Sequence, residues 1–318
     1  MSELVSILIP CHNAAPWLAQ TLESALAQTW PEKEIIFVDD GSTDGSLELA
    51  RGYESRGVRV LTQPNRGASA ARNAGLREAR GGFIQFLDAD DLLAPDKIAV
   101  QMDRLLASPP RHIASGAWAR FRRDPREAAF VPEPNWGDLS GLEFLLRHYE
   151  AGWMMLPAAW LCPRPLLDEA GPWDERLTLN DDGEYFGRVM LAAAGILFCG
   201  TARSYYRSGL RRSLSRRKDV AALRSLGLST ELNCGRMLAA AQDSPRARAA
   251  AANGWQRLAF ESYPTAPDLA AAAERHAAHL GGSPFPMPAG PAFQRMAHWT
   301  GWRLAKRLRD AWLRLRRV

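Results

Sequence analysis

Over the first hundred residues, short apolar runs alternate with helical stretches, and two of those runs end directly in carboxylates. Such alternation builds a mostly parallel sheet covered by helices on both faces. Val5–Ile9 reads as a first strand ended by Pro10, and Ala15–Gln28 as a helix with a stripe of Trp17, Leu18, Leu22, Ala25 and Leu26. Glu34–Val38 is a second strand running into Asp39-Asp40-Gly41-Ser42, after which Thr43 and Asp44 are placed to cap a helix over Gly45–Arg56. Val58–Thr62 is a third strand. Ala68–Ala79 is a small-residue helix behind Asn65-Arg66-Gly67, and Phe83–Leu87 is a fourth strand running into Asp88-Ala89-Asp90-Asp91, with Pro95 opening the next helix. Ligands of open α/β sheets bind at the carboxyl ends of the strands, where both acidic clusters fall.

Beyond this region the pattern weakens. Ser108–Gly141, rich in Pro, Arg and Trp, reads as loops and edge strands facing a substrate. Ala158–Cys162 and Ile196–Cys199 read as strands flanking a helix from about Asp182 to Ala194, and Ala-rich helices follow at about 220–242, 245–262 and 266–281. The expected division is 1–218 for the α/β domain, 219–290 for a helical appendage and 291–318 for a basic amphipathic helix.

The chain has 318 residues and carries +5 overall, but the charge is unevenly placed. From Pro291 to Val318 eight Lys or Arg face Asp310 alone, +7, so the first 290 residues carry −2. The body therefore lacks the basic surface of a nucleic-acid binder, and no nucleic-acid partner is expected. Cys11, Cys162, Cys199 and Cys234 are scattered without a Cys-x-x-Cys pair, which disfavours a zinc site or a disulfide framework and suits a reducing cytoplasm. No signal-peptide pattern and no apolar stretch of spanning length is visible, so the expectation is a cytoplasmic protein that does not cross a membrane.

Three acidic groups stand out: Asp39-Asp40, Asp88-Ala89-Asp90-Asp91, and Asp181-Asp182 with Glu184. Neighbouring carboxylates repel, and a divalent cation sharing one or two of them with substrate phosphates offsets that repulsion. Asp88 and Asp91 are equally suited to capping a helix, and the triplet alone leaves the two readings even.

Order and spacing separate them. Val5-Ser6-Ile7-Leu8-Ile9-Pro10-Cys11-His12-Asn13, Asp39-Asp40-Gly41-Ser42-Thr43-Asp44, Asn65-Arg66-Gly67-Ala68-Ser69-Ala70-Ala71-Arg72-Asn73-Ala74-Gly75 and Asp88-Ala89-Asp90-Asp91 resemble, in that order, family 2 glycosyltransferases. The likeness continues at Trp173-Asp174-Glu175 and at Asn180-Asp181-Asp182-Gly183-Glu184 with Arg188, covering about 1–215. The resemblance implies the nucleotide-diphosphosugar transferase fold called GT-A, with a C-terminal helical extension, and a reaction that inverts the anomeric carbon. Asp40, supported by Asp39, would then hydrogen-bond the nucleobase, with Pro10, Cys11 and Asn13 lining the pocket, Arg72 nearby, and Ala89 among the donor-binding positions. Asp88 would hold the ribose or the water shell of a metal, Mn²⁺ or Mg²⁺, that Asp90 ligates, with Asp91 behind them. Asp182 falls at the family's general-base position, with Asp181 beside it. The family's motif there usually reads Glu-Asp, a departure that bears on Asp181; the alternative is that Asp181 caps a helix and Glu184 is solvated.

Between Arg203 and Lys218 lie seven basic residues and no acid. Such a run is ordinarily a solvated loop, whereas by the resemblance Arg207 and Arg211 would contact diphosphate oxygens. No Gln-x-x-Arg-Trp motif is present, which favours transfer of a single sugar. His12 is similar in place to a family Tyr and is assigned no chemistry.

The expected activity is inverting transfer of one sugar from a nucleotide-diphosphate donor, UDP-linked, to a saccharide or lipid-linked acceptor of cell-surface polysaccharide or glycolipid synthesis. A nucleotidyltransferase would show a Gly-rich phosphate loop where Pro10-Cys11-His12-Asn13 stands, and a non-catalytic sugar-nucleotide binder would need no base at Asp182. In the tail, Phe293–Val318 places Ala297, Leu304, Leu308, Trp312 and Leu315 at helical spacings among Arg303, Lys306, Arg307, Arg309, Arg314, Arg316 and Arg317, near Trp299 and Trp302. Either this helix contacts an anionic membrane, or its stripe packs on protein.

Overall fold

Every residue of strand β1, Val5–Cys11, is buried, as befits a strand covered on both faces. In the computed structural model, which describes residues 3–152, 156–210, 217–283 and 290–315, β1 pairs in parallel with β2 (Lys33–Asp40) on one side and β4 (Phe83–Phe86) on the other. With β3 (Val58–Gln63) outside β2 and the short β7 (Cys162–Pro163) antiparallel to β4, the order is β3-β2-β1-β4-β7. Strand order therefore reverses between β1 and β4, and the carboxyl ends of these two strands, at Cys11 and Leu87-Asp88, border the crevice where ligands of such sheets sit. Pro10 does not end β1: Pro10 and Cys11 stay in the strand, opposite Val38 and Asp39.

Helix α1 (Ala15–Leu26) buries Leu18, Leu22 and Ala25 under the sheet. Its Thr21 hydroxyl reaches the carbonyls of Ala89 (3.0 Å) and Asp91 (2.9 Å), fastening the acidic loop after β4. The stretch expected as one helix over 45–56 is shorter: α2 covers Ser46–Arg51, and after Gly52 a separate 3₁₀ turn covers Glu54–Arg56. Glycine costs a helix interior about 1 kcal/mol relative to Ala, and no buried face offsets it here. Helix α3 (Ala68–Glu78) packs Gly75 against Leu8 and Val38, close enough for Cβ contacts near 3.5 Å, so it lies tightly on β1 and β2.

A second sheet, order β5-β8-β6, is made of β5 (Leu92–Leu93), β6 (His112–Phe121) and β8 (Gly195–Arg207). The helix after Pro95, α4, begins at Lys97 and ends at Leu106. Residues 108–141 are thus less loop-like than expected, because β6 is buried along almost its whole length. Its run Ile113-Ala114-Ser115-Gly116-Ala117 lacks alternation for that reason: with both faces covered, small residues serve either side. Conversely, the strand expected over 158–162 is largely a 3₁₀ turn, Pro157–Ala159, and only Cys162–Pro163 pairs with β4. β8 runs eight residues past Cys199, so the first part of the basic run lies in a sheet. Helix α5 (Gly141–Ala151) follows β6 and precedes β7, and α6 (Arg164–Ala170) and α7 (Asp181–Ala192) lie between β7 and β8 in the chain.

The chain divides into two compact units, Met1–Leu145 with Trp153–Arg216, and Leu146–Gly152 with Arg217–Val318. In the second unit α8 (Val220–Ala240), α9 (Pro245–Ser262) and α10 (Pro267–His279) bury Ala247, Ala250, Ala251, Ala270, Ala273 and Ala277, and small side chains at these positions let helices approach closely. The basic tail belongs to this unit and is two helices rather than one. α11 (Pro291–Thr300) and α12 (Trp302–Leu315) are separated by Gly301, whose φ of +76° no β-branched or bulky residue would accept readily. Their inner residues Phe293 and Ala305 pack on Phe260, with Met296, Ala297 and Trp302 around them. Among the described residues no helix is long and apolar enough to cross a membrane.

Candidate active site

Helix α3 and the loop that leads into it hold three separate acidic segments. In the loop, the Asp40 carboxylate accepts the backbone N–H of Arg66 (2.8 Å) and Gly67 (2.8 Å) and the side-chain amide of Gln63 (2.7 Å). Asp40, expected at the nucleobase, thus shapes the turn with these three hydrogen bonds. Its neighbour differs. Asp39 Oδ2 accepts the N–H of Ser42 (3.1 Å), while Oδ1 is buried with no hydrogen-bond partner among the described residues. Buried acceptors are nearly always satisfied, so an orphaned carboxylate oxygen at a strand end is a place for a ligand donor. Gly41 between them has φ +71°, and a Cβ there would meet Asn65 N at 2.9 Å, so the two loops approach as only glycine allows.

Cys11 and Asn13 stand beside this position. Cys11 is opposite Asp39 in the sheet, and burial pushes its thiol up to about 12, so it serves as a small neutral wall. Asn13 (φ +57°) accepts the N–H of Thr43 (2.8 Å) and donates its own N–H to Ser42 Oγ (3.0 Å), bracing the 39–44 loop against the end of β1. Asp44 accepts the N–H of Ala15 (3.0 Å), tying the same loop to α1.

The middle of α3 carries Arg72, whose side chain is 6% exposed. One guanidinium nitrogen donates to Asp88 (2.8 Å) and another to Asp181 (2.7 Å), while the plane lies 4.4 Å from the ring of Trp173. Burial alone would lower the pKa of this guanidinium; Asp88 and Asp181 reverse that and raise it, so its charge is secure. Sequence reasoning placed Arg72 among donor-binding positions, and the structure instead shows a clamp between the acidic loop after β4 and the start of α7. Asp181, which also accepts from Ser69 Oγ (3.1 Å), is thereby a partner of Arg72 rather than a free acid. One residue on, Asn73 exchanges two hydrogen bonds with the backbone of Trp173 (2.8 and 2.9 Å), and Trp173 stacks on Tyr185 of α7 at 4.0 Å.

These contacts deliver Asp182 to the first turn of α7. Its carboxylate accepts the N–H of Gly183 (2.8 Å). Burial first, then the charge of Asp181, push its pKa up to about 7, with Arg72 pulling the other way. A carboxylate poised near neutrality is suited to taking a proton. Glu184 is not a solvated acid; it is 1% exposed and paired with Arg188 (2.9 Å), an arginine that also donates to the carbonyl of Pro172.

The acids after β4 divide their roles. Asp88 faces Arg72. Asp90 has no ion pair among the described residues, and burial and Asp88 push its pKa up to about 6. Ala89 is buried between them. Asp91 is fully buried and accepts the backbone N–H of Arg207 (2.8 Å) at the end of β8. Arg207 itself is 2% exposed: its guanidinium donates to the Asp90 carbonyl (2.8 Å) and Gln20 (2.7 Å) and lies between the rings of Trp17 and Phe121. Arg207, expected to contact a diphosphate, bolts the acidic loop to β8 in this structure. Nothing in sequence spacing distinguishes these two uses of an arginine. Arg211 lies outside the described residues.

Among the described residues no three potential metal ligands converge. Asp88 is paired with Arg72, whereas Asp90 has no ion pair among the described residues; incomplete carboxylate sets of this kind are ones that a divalent cation generally completes with phosphate oxygens and water.

Residues 6–156 match the model described as glycosyl transferase family 2. The chain carries a family 2 glycosyltransferase domain. An uncharacterised glycosyltransferase of Haemophilus influenzae is 42% identical to it over 106 residues, 32% of this chain and 42% of that protein. The chain spans no more than 42% of the length of the curated relatives it matches. Two solved structures share the fold: S. aureus TarS 1–349 in complex with UDP-GlcNAc (TM-score 0.61, 17% identity, 88% of this chain and 92% of that one) and the mannosyltransferase PcManGT from Pyrobaculum calidifontis in complex with GDP-Man and Mn²⁺ (0.58, 19%, 98% and 88%). The family 2 domain therefore has the GT-A fold, and the α-helical second unit follows it in the chain.

The Arg72 clamp predicts a stability defect. Arg72→Met leaves two partly buried carboxylates facing each other and is expected to cost about 2–3 kcal/mol, below the full value for a buried pair because Asp88 keeps some solvent contact. Arg72→Lys, which keeps the charge and loses the fork, should recover at most about half of this. Guanidinium denaturation of the full chain measures both; wild-type stability for Arg72→Met would show that the clamp holds nothing.

Proposed function

We propose that the chain transfers a single sugar from a nucleotide-diphosphate sugar, UDP-linked, to a hydroxyl of a saccharide or lipid-linked acceptor, with inversion at the anomeric carbon. The observation that supports this most is the pairing of Asp88 and Asp182 segments through one arginine: a site for a phosphate-bearing donor and a carboxylate with a pKa near 7 are held by the same helix. A nucleotide-binding protein without catalysis has no use for the second group. Nucleotidyl transfer would ask for a glycine-rich phosphate loop after β1, where Cys11-His12-Asn13 stands instead.

In this reading the nucleobase donates its imide N–H to the open oxygen of Asp39, beside Cys11 and Pro10. Uracil offers one such N–H and Asp39 one open oxygen, which favours UDP over guanine nucleotides, whose base carries two neighbouring donors. A divalent cation on Asp90, with Asp88 in its surroundings, would neutralise charge on the departing diphosphate when bound. Asp182 takes the proton of the acceptor hydroxyl as its oxygen bonds to the anomeric carbon, and the bond from that carbon to the diphosphate oxygen breaks on the opposite face. Arg72 holds the neighbouring Asp181 in an ion pair beside Asp182. Such a transfer would serve cell-surface polysaccharide or glycolipid synthesis in the cytoplasm.

Two outcomes test this. With UDP-sugars and a hydroxyl acceptor panel, the rate should fall about tenfold for each pH unit below about 7, as Asp182 becomes protonated, and Asp182→Asn should lose 10²- to 10⁴-fold in turnover while binding UDP within about twofold of wild type. A flat profile from pH 5 to 7, or full turnover by Asp182→Asn, would place the base elsewhere. Separately, Asp39→Asn should weaken UDP binding by about tenfold in calorimetric titration, the worth of one charge-assisted hydrogen bond; unchanged affinity would remove Asp39 from the nucleobase site.

A further inference from the structure

Once α11 and α12 have packed their inner face on Phe260, a second apolar stripe is left facing outward. Eight large hydrophobic side chains are exposed among the described residues, and five of them, Trp299, Leu304, Leu308, Trp312 and Leu313, lie on these two helices. Leu304, Leu308 and Trp312 follow one another at four-residue spacing and therefore share one line along α12, each about half exposed; Trp299, at 86%, stands at the end of α11. Exposed apolar side chains are ordinary when scattered, and their concentration on one short element marks a contact surface.

Charge distinguishes the occupant. Arg307, one residue before Leu308, and Arg295 on α11 are exposed, whereas Arg303, one residue before Leu304, is paired with Glu274 and, like Arg307, lies over the Tyr263 ring. The stretch from Pro291 onward carries +7 against a mildly acidic remainder. A second copy seated on this face about a two-fold axis would bring the same arginines against each other, which like charges resist. A layer of anionic lipid headgroups offers the complement: arginines at the phosphate level, tryptophan and leucine at the headgroup boundary. Two α12 cations face inward: Lys306 is buried and donates to the Phe260 carbonyl, and Arg309 lies over the rings of Phe260 and Phe293.

We propose that the outward face of α11 and α12 is a peripheral docking surface for anionic phospholipid, lying along the membrane with Trp299, Leu304, Leu308 and Trp312 in the headgroup region. Of the two sequence readings, packing on protein holds for Ala297 and the Phe293 side, and the proposal concerns the outward line. The proposal stands apart from sugar transfer and is read without turnover.

The test is co-sedimentation of the full chain with vesicles of 30% phosphatidylglycerol in phosphatidylcholine, and with pure phosphatidylcholine, at 0.1 M salt. Binding should be on the order of tenfold stronger on the anionic vesicles, given several arginines near the surface. Leu304→Gln, Leu308→Gln and Trp312→Gln combined should lower it at least tenfold, and Arg295→Gln with Arg307→Gln should abolish the preference for anionic lipid. All altered positions are exposed, and unchanged thermal melting shows that the variants are folded. Equal binding to both vesicles, or wild-type binding by the triple variant, overturns the proposal. So does sedimentation velocity showing a dimer that the triple variant converts to monomer without any vesicle binding, which would assign the stripe to a second copy.

Discussion

Arg72 is the residue on which the arrangement of the first unit's acids depends. A guanidinium is planar and always charged, and its fork can satisfy two carboxylates at once, as no other side chain can. Here it bonds Asp88 at the end of one sheet strand and Asp181 at the start of a helix 109 residues later in the chain. Without it, two carboxylates brought together by the fold would repel, and the segment carrying Asp182 would lose its reason to lie beside the end of β4. The flanking residues of α3 act in the same direction, Gly67 through Asp40 and Asn73 through Trp173, so one short helix orders three loops.

A second fastening point sits at the other end of the acidic loop. Asp91 and Arg207 are both buried, and between them they join the loop after β4 to the last turn of β8, with α1 contributing Gln20 and Thr21. The loop is thus held at both ends, while Asp90 between them has no ion pair among the described residues. A site that binds a charged ligand has to be built in this way, since an acid that the protein neutralises for itself has little affinity left for a cation. The same logic separates Asp39, which keeps an open oxygen, from Asp40, which does not.

How much of this could be read from the chain follows from how locally each feature is encoded. The parallel sheet and its order of elements were legible, because buried strands and amphipathic helices have distinct periodicities, and the acids were legible because strands ended in them. The division of labour among those acids was not. Asp39 and Asp40 are adjacent and chemically identical, and only the path of the 63–67 loop decides which is consumed. Arg72 and Arg207 look like anion-binding residues in sequence, yet both are spent on carboxylates, carbonyls and aromatic rings contributed by distant parts of the chain. β6 escaped notice because a strand buried on both faces by small residues has no alternation to detect. Glycine mattered more than expected at Gly52 and Gly301, where helices read as continuous are interrupted.

The geometry sets two acidic segments after β4 and at the start of α7, with Arg72 between them, and the proposed transfer, with Asp182 as base across a donor sugar from the diphosphate, is a single displacement. The configuration of the transferred sugar reports this most directly. Proton NMR of product formed early from an α-linked UDP-sugar should show a β-linked anomeric proton; an α-linked product would contradict the account, since retention cannot arise from one attack assisted by Asp182.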